Sequence, residues 1–74
     1  MEFEFTVMIE RDEDGVFIAT VPALRGCHSA GRTEVEALEH VREAIQLHVE
    51  LLRERGESIP TEGTITRVRV PLTA

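Results

Sequence analysis

The chain contains no lysine, asparagine, tryptophan or tyrosine, and only one glutamine and one cysteine. Each absence removes a class of explanation. With Cys27 as the single thiol, no intrachain disulfide is available to staple the fold. A lone cysteine suits a reducing compartment. With three Phe as its only aromatics, the chain lacks the stacking residues that single-stranded nucleic acid is read on. No apolar run approaches the roughly 20 residues needed to cross a bilayer. The start, Met-Glu-Phe-Glu-Phe, lacks the basic opening of a secretory signal. The expected location is the cytoplasm. The missing amides have two readings, a heat-adapted source or arginine-favouring codon bias in a GC-rich genome.

What is present is mostly acid. Twelve Glu and two Asp stand against eight Arg, for a formal net charge of -6. Nucleic-acid binding calls for a basic surface, so the balance argues against direct binding of DNA or RNA. An acidic domain suits a basic protein partner. Seventy-four residues make one domain. A chain this short buries only about 60% of its unfolded surface.

Residues 2–10 alternate strictly. Phe3, Phe5, Val7 and Ile9 share one face, and Glu2, Glu4, Thr6, Met8 and Glu10 the other. Period two predicts a strand with one buried face. Arg11-Asp-Glu-Asp-Gly15 is a polar hairpin loop closing on glycine. Val16 to Val21 is β-branched and aromatic and predicts the returning strand, ended by Pro22. Cys27 to Ala30 is a candidate third strand. Thr33 with Glu36 predicts a capping box at the start of a helix. Apolar residues then recur at Ala37/Leu38, Val41, Ala44/Ile45 and Leu51/Leu52. Gly56 stops the helix, with Arg53 and Arg55 in its last turn. Thr64 to Val70 predicts a final strand before Pro71. The order is β-β-β-α-β: an α+β fold with a mostly antiparallel four-stranded sheet and one helix on one face. The last strand is expected to pair parallel with the first, through a right-handed crossover.

Several clusters invite chemistry. Asp12, Glu13 and Asp14 are adjacent acids in a tight turn, whereas a calcium loop spaces its ligands over about twelve residues. A solvated turn fits them better. Cys27-His28-Ser29 sets a nucleophile beside a base, but neighbours on extended chain point to opposite faces. Zinc needs three or four ligands, which would require His40 or His48 as well. Cys27 reads as a small buried residue. His48 falls in the helix's apolar stripe and reads as packing at the core margin. No catalytic, cofactor or metal residue is assigned. The acidic helix surface and the Arg25 to Arg32 loop remain as candidate interaction surfaces.

The motifs together resemble one family. They are Asp14-Gly15, Phe17-Ile18-Ala19, Pro22, Leu24-Arg25-Gly26-Cys27, Gly31-Arg32-Thr33, Glu36-Ala37, Glu43-Ala44-Ile45 and Ile59-Pro60. In this order they are similar to the HicB-like antitoxins, partners of HicA-type RNA-cleaving toxins. The resemblance implies a partial RNase H-like fold of three antiparallel strands, a helix and a fourth strand. It implies a non-catalytic domain that binds a small basic toxin and occludes its RNA-binding face. Family helices often carry asparagine where this chain has His40. RNase H chemistry would need clustered carboxylates holding two metal ions. Thr6-Val7-Met8 and Thr64 to Val70 supply no acid, and Glu36, Glu39 and Glu43 on the helix do not make that site alone. Many family members continue into a DNA-binding domain. Here a single domain over 1–74 is expected, without one. The alternative is a stand-alone homo-oligomer that binds another protein or a small ligand. A symmetric homodimer is expected along the third strand's edge or over the sheet face beside it.

Overall fold

A computed structural model describes residues 3–61, 63 and 66–73. Three strands and one helix follow in the order β1 (Met8–Arg11), β2 (Phe17–Thr20), β3 (His28–Gly31) and α1 (Glu34–Glu54). The strands form an antiparallel sheet in the order β1-β2-β3.

Each connection has a local cause. In the β1–β2 hairpin the Asp12 carboxylate accepts from the N–H groups of Asp14 and Val16, both at 2.9 Å. Gly15 takes φ 82°, which side chains resist. The acidic turn therefore has a structural use for Asp12: it holds the loop's own backbone. Arg11 lies over the Phe17 ring, 5.6 Å from its centroid, and caps that end of the inward face. Between β2 and β3, two turns follow one another. Leu24 N–H donates to Val21 C=O at 3.1 Å, and Cys27 N–H donates to Leu24 C=O at 3.0 Å. They fold Leu24 inward, 1% exposed, beneath the sheet end.

The helix begins as expected and with one difference. Thr33 Oγ1 accepts from Glu36 N–H at 3.0 Å. The return bond goes from Arg32 N–H to Glu36 Oε1 at 3.2 Å, one residue ahead of the usual capping-box donor. At the other end, Glu57 N–H reaches Leu52 C=O and Gly56 N–H reaches Arg53 C=O, with Gly56 at φ 69°. That pair of bonds is a Schellman stop.

The helix covers one face of the sheet. The core is Ala19, Val21, Leu24, Cys27, Ala37, Val41 and Val49, with Phe5, Val7, Ile9, Phe17, Ala44, Ile45, Leu52 and Ile59 packed against it. Of the inward face read from residues 2–10, Phe5, Val7 and Ile9 pack against the core while Phe3 is 41% exposed, and the strand itself covers only Met8–Arg11. Composition favours extended chain, but a strand needs a neighbour's N–H and C=O as well. The expected fourth strand starts at Thr64 and Ile65, which lie outside the described residues. Thr66 to Val70 follow as exposed chain. The described sheet therefore has three strands. Among the described residues, no helix is long and apolar enough to cross a membrane.

Candidate protein-binding surface

The register fixes what the sheet shows to solvent. The rows Ile9–Ala19–Ser29 and Arg11–Phe17–Gly31 face the helix. The rows Met8–Thr20–His28 and Glu10–Ile18–Ala30 face away. This outer face mixes one acid with short and apolar side chains.

The two sheet edges differ. Val21 N–H donates to Cys27 C=O at 3.0 Å, which sets the phase of the β2–β3 ladder. Counting by two, Ser29 and Gly31 turn their main-chain groups toward β2, while His28 and Ala30 turn theirs outward. The outward Ala30 carbonyl is 2.7 Å from His40 Nδ1. A carbonyl only accepts, so Nδ1 carries the proton and donates. His40 thus occupies part of the β3 edge from the helix. Sequence reasoning noted His40 as a replacement for asparagine and as a ligand that a zinc site would have required. The available signal was that both side chains can donate an N–H.

Gly31 is the second residue that sequence reasoning undervalued. It is buried where β3 meets the first turn of α1. A Cβ there would lie 2.5 Å from Ala37 N and 2.9 Å from Glu36 C. Only glycine lets these two backbones approach so closely.

On the helix the acids form a stripe. Glu39, Glu43, Glu50 and Glu54 are exposed and, at 100° per residue, fall within about 60° of one another. Val35 and Leu47, 66% and 68% exposed, flank this stripe, and Leu51 is 44% exposed. Pairs of like charge four residues apart cost a helix stability. Large exposed apolar side chains bordered by charge are the composition of a binding surface.

The remaining candidates do not converge on a reactive site. Cys27 is buried and His28 exposed, so the two do not form a dyad. Burial pushes the Cys27 thiol pKa up, away from the reactive thiolate. Glu36 is engaged at the helix start, and Glu39 and Glu43 point to solvent. His48 is half-buried at the core margin. Among the described residues, no three His, Cys, Asp or Glu side chains gather to hold a metal ion. Arg25 and Arg32 are exposed on the loops that flank β3.

Residues 5–71 match the model of a family described as the HicB-like antitoxin of bacterial toxin-antitoxin systems. A UPF0150 protein of Thermoplasma acidophilum is 44% identical over 60 residues, spanning 81% of this chain and 87% of that protein. A UPF0150 protein of Synechocystis is 38% identical over 65 residues, spanning 88% and 82%. The crystal structure of the N-terminal domain of the Burkholderia pseudomallei antitoxin HicB superposes with a TM-score of 0.68 at 40% identity. The match covers 85% of this chain and 72% of that one.

Proposed function

We propose a toxin-neutralising role from one premise: the chain belongs to the HicB-like antitoxin family. Membership supports an antitoxin-type function. The finer reading is that the domain binds a small basic HicA-type RNA-cleaving toxin and covers the face with which that toxin holds RNA. The observation that carries it is the acidic stripe of α1 with its apolar border, on a chain of net charge -6. A toxin that grips RNA presents cations to phosphate. Glu39, Glu43, Glu50 and Glu54 would meet those cations in place of the phosphates, and Val35, Leu47 and Leu51 would supply the dry contact. Complementary charge speeds encounter and sets orientation, while buried apolar anchors slow dissociation. No bond is made or broken. The partial RNase H-like architecture then serves as a scaffold, with 1–74 acting as one binding domain in the cytoplasm.

The test is co-expression with the product of a HicA-type toxin gene. The native chain should restore growth to cells making that product. A chain carrying Glu39→Lys, Glu43→Lys, Glu50→Lys and Glu54→Lys should fold and fail to restore it. Equal rescue by both chains would remove the helix stripe as the toxin contact.

A further inference from the structure

The outer side of α1 is a groove between two ridges. Residues four apart stand in line on a helix. Val35, Glu39, Glu43 and Leu47 make one ridge, and Leu38, Arg42, Gln46 and Glu50 make its neighbour. All of these side chains are exposed. Two adjoining hollows lie between the ridges. One, of about 470 Å³, is lined by Val35, Leu38, Glu39, Arg42, Glu43 and Gln46. The other, of about 310 Å³, is lined by Glu43, Gln46, Leu47 and Glu50. They share Glu43 and Gln46, so the groove is continuous for about 22 Å, at 1.5 Å rise per residue.

The groove changes character along its length. Four residues at i, i+3, i+4 and i+7 frame a socket for one side chain of a facing helix. Val35, Leu38, Glu39 and Arg42 frame the first, which is half apolar and carries one charge of each sign. Glu39, Arg42, Glu43 and Gln46 frame the second, which is polar throughout. Glu43, Gln46, Leu47 and Glu50 frame the third, where two carboxylates flank one apolar wall. An arginine suits that third socket: its stem lies on Leu47 and its guanidinium reaches Glu43 and Glu50. The sockets step by four residues, which is also the spacing along a ridge of a partner helix. A strand laid here would find no main-chain partner for its own N–H and C=O groups, because those of α1 are bonded within the helix. A helix brings its bonds with it.

We propose that this groove takes a helix of a basic partner protein, with one ridge of that helix filling the three sockets. An apolar residue lies by Val35 and Leu38, a polar one beside Arg42, and an arginine between Glu43 and Glu50. The inference rests on the reading of α1 as the toxin-binding face and adds which element of the partner meets it. The occupant is basic because Glu39, Glu43 and Glu50 stand against Arg42 alone, on a chain of net charge -6. It is apolar at the other end because Val35 and Leu38 are 66% and 38% exposed there. The α1 of a second copy would bring the same acids to the groove, and like charges repel.

The test uses helical peptides and no toxin. One peptide presents leucine, glutamine and arginine four residues apart on a single ridge of an alanine-based helix. The other has the same composition, with the arginine moved two residues on, to the far side. Titration of the isotope-labelled chain, followed by its amide chemical shifts, reads both affinity and place. The ridge peptide should bind at least about tenfold more tightly than the displaced one, with shifts confined to the outer side of α1 between Val35 and Glu50. Glu43→Arg with Glu50→Arg should abolish that preference and instead favour a ridge peptide with glutamate in place of arginine. Glu4→Gln with Glu10→Gln, which removes two charges elsewhere, should bind the ridge peptide as the native chain does. No binding, equal binding of the two peptides, or shifts centred outside α1 would overturn the proposal. If a HicA-type toxin were still neutralised in that case, the antitoxin reading would stand and only the docked helix would fall. Peptide binding without neutralisation would do the reverse, keeping the groove and removing the antitoxin reading.

Discussion

Replacing Gly31 with alanine tests the close approach on which the sheet–helix packing depends. The added methyl would sit 2.5 Å from Ala37 N and 2.9 Å from both Glu36 C and Glu36 Cβ. Carbon atoms pack best at about 3.5–4.0 Å, so the helix start must retreat by roughly 1 Å. Two of the three neighbours are backbone atoms of the first helical turn, fixed by the Thr33 and Glu36 bonds. A flexible side-chain tip could swing aside, and this backbone cannot. Overpacking costs about 1–3 kcal/mol, and the rigid neighbours place Gly31→Ala near about 3 kcal/mol. A domain of this size holds only about 4–11 kcal/mol in total. The melting temperature should fall by about 12–24 °C, at about 4–8 °C per kcal/mol. Thermal unfolding followed by far-ultraviolet circular dichroism is the assay. Gly63→Ala is the control: a Cβ there meets nothing within 4 Å, so it should leave stability unchanged or raise it, by at most about 1 kcal/mol. A clash-free glycine gains about 0.4–1 kcal/mol on substitution by alanine, through the unfolded chain. An unchanged or raised melting temperature for Gly31→Ala would therefore refute the close-approach argument.

Other expectations follow from single bonds. Thr33→Ala loses the acceptor for Glu36 N–H and should cost about 1 kcal/mol; Thr33→Ser should restore most of it in the same melts. Asp12→Ala frees two backbone N–H groups in the hairpin and should cost about 1 kcal/mol, with Asp12→Asn closer to native. His40→Ala releases the Ala30 carbonyl, so amide exchange in β3 should quicken while His40→Asn preserves protection. For Cys27, burial raises the folded pKa above the unfolded one, so folding favours the neutral thiol. That contribution is complete below the ordinary thiol range of about 8.5. It is lost as pH rises through the folded value. Aromatic disulfide reagents at pH 8 should label Cys27 slowly in the native chain and quickly in denaturant.

The parts of the fold legible in the sequence are those with a local cause. The hairpin loop, the Thr33 cap and the Gly56 stop each depend on residues a few positions apart, and all three stand where composition and spacing put them. The inward faces were legible as well: Phe5, Val7 and Ile9 pack on the core as their alternation implies. Val49 is buried, yet it lay outside the apolar series read from the helix. Contacts that depend on tertiary approach were not legible. Nothing in the string of residues shows that a methyl at Gly31 would strike Ala37, or that His40 reaches Ala30 ten residues away. The strand read at Thr64 to Val70 fails to pair among the described residues for a related reason: alternation specifies a face, and the partner for that face lies outside the local sequence. For the binding surface, the family and the overall acidity were readable early. The grouping of Glu39, Glu43, Glu50 and Glu54 follows from helical periodicity alone, but that this side of α1 faces solvent needed the helix's placement against the sheet.

The central claim is neutralisation by occupancy, without catalysis, and a titration tests it most directly. A purified HicA-type toxin would cleave a labelled RNA while this chain is added stepwise. The expected result is a linear loss of cleavage that reaches zero at a fixed whole-number ratio near molar equivalence, with the RNA-cleaving protein recovered intact. Undiminished cleavage at excess chain would contradict the claim, as would full inhibition at a small fraction of equivalence.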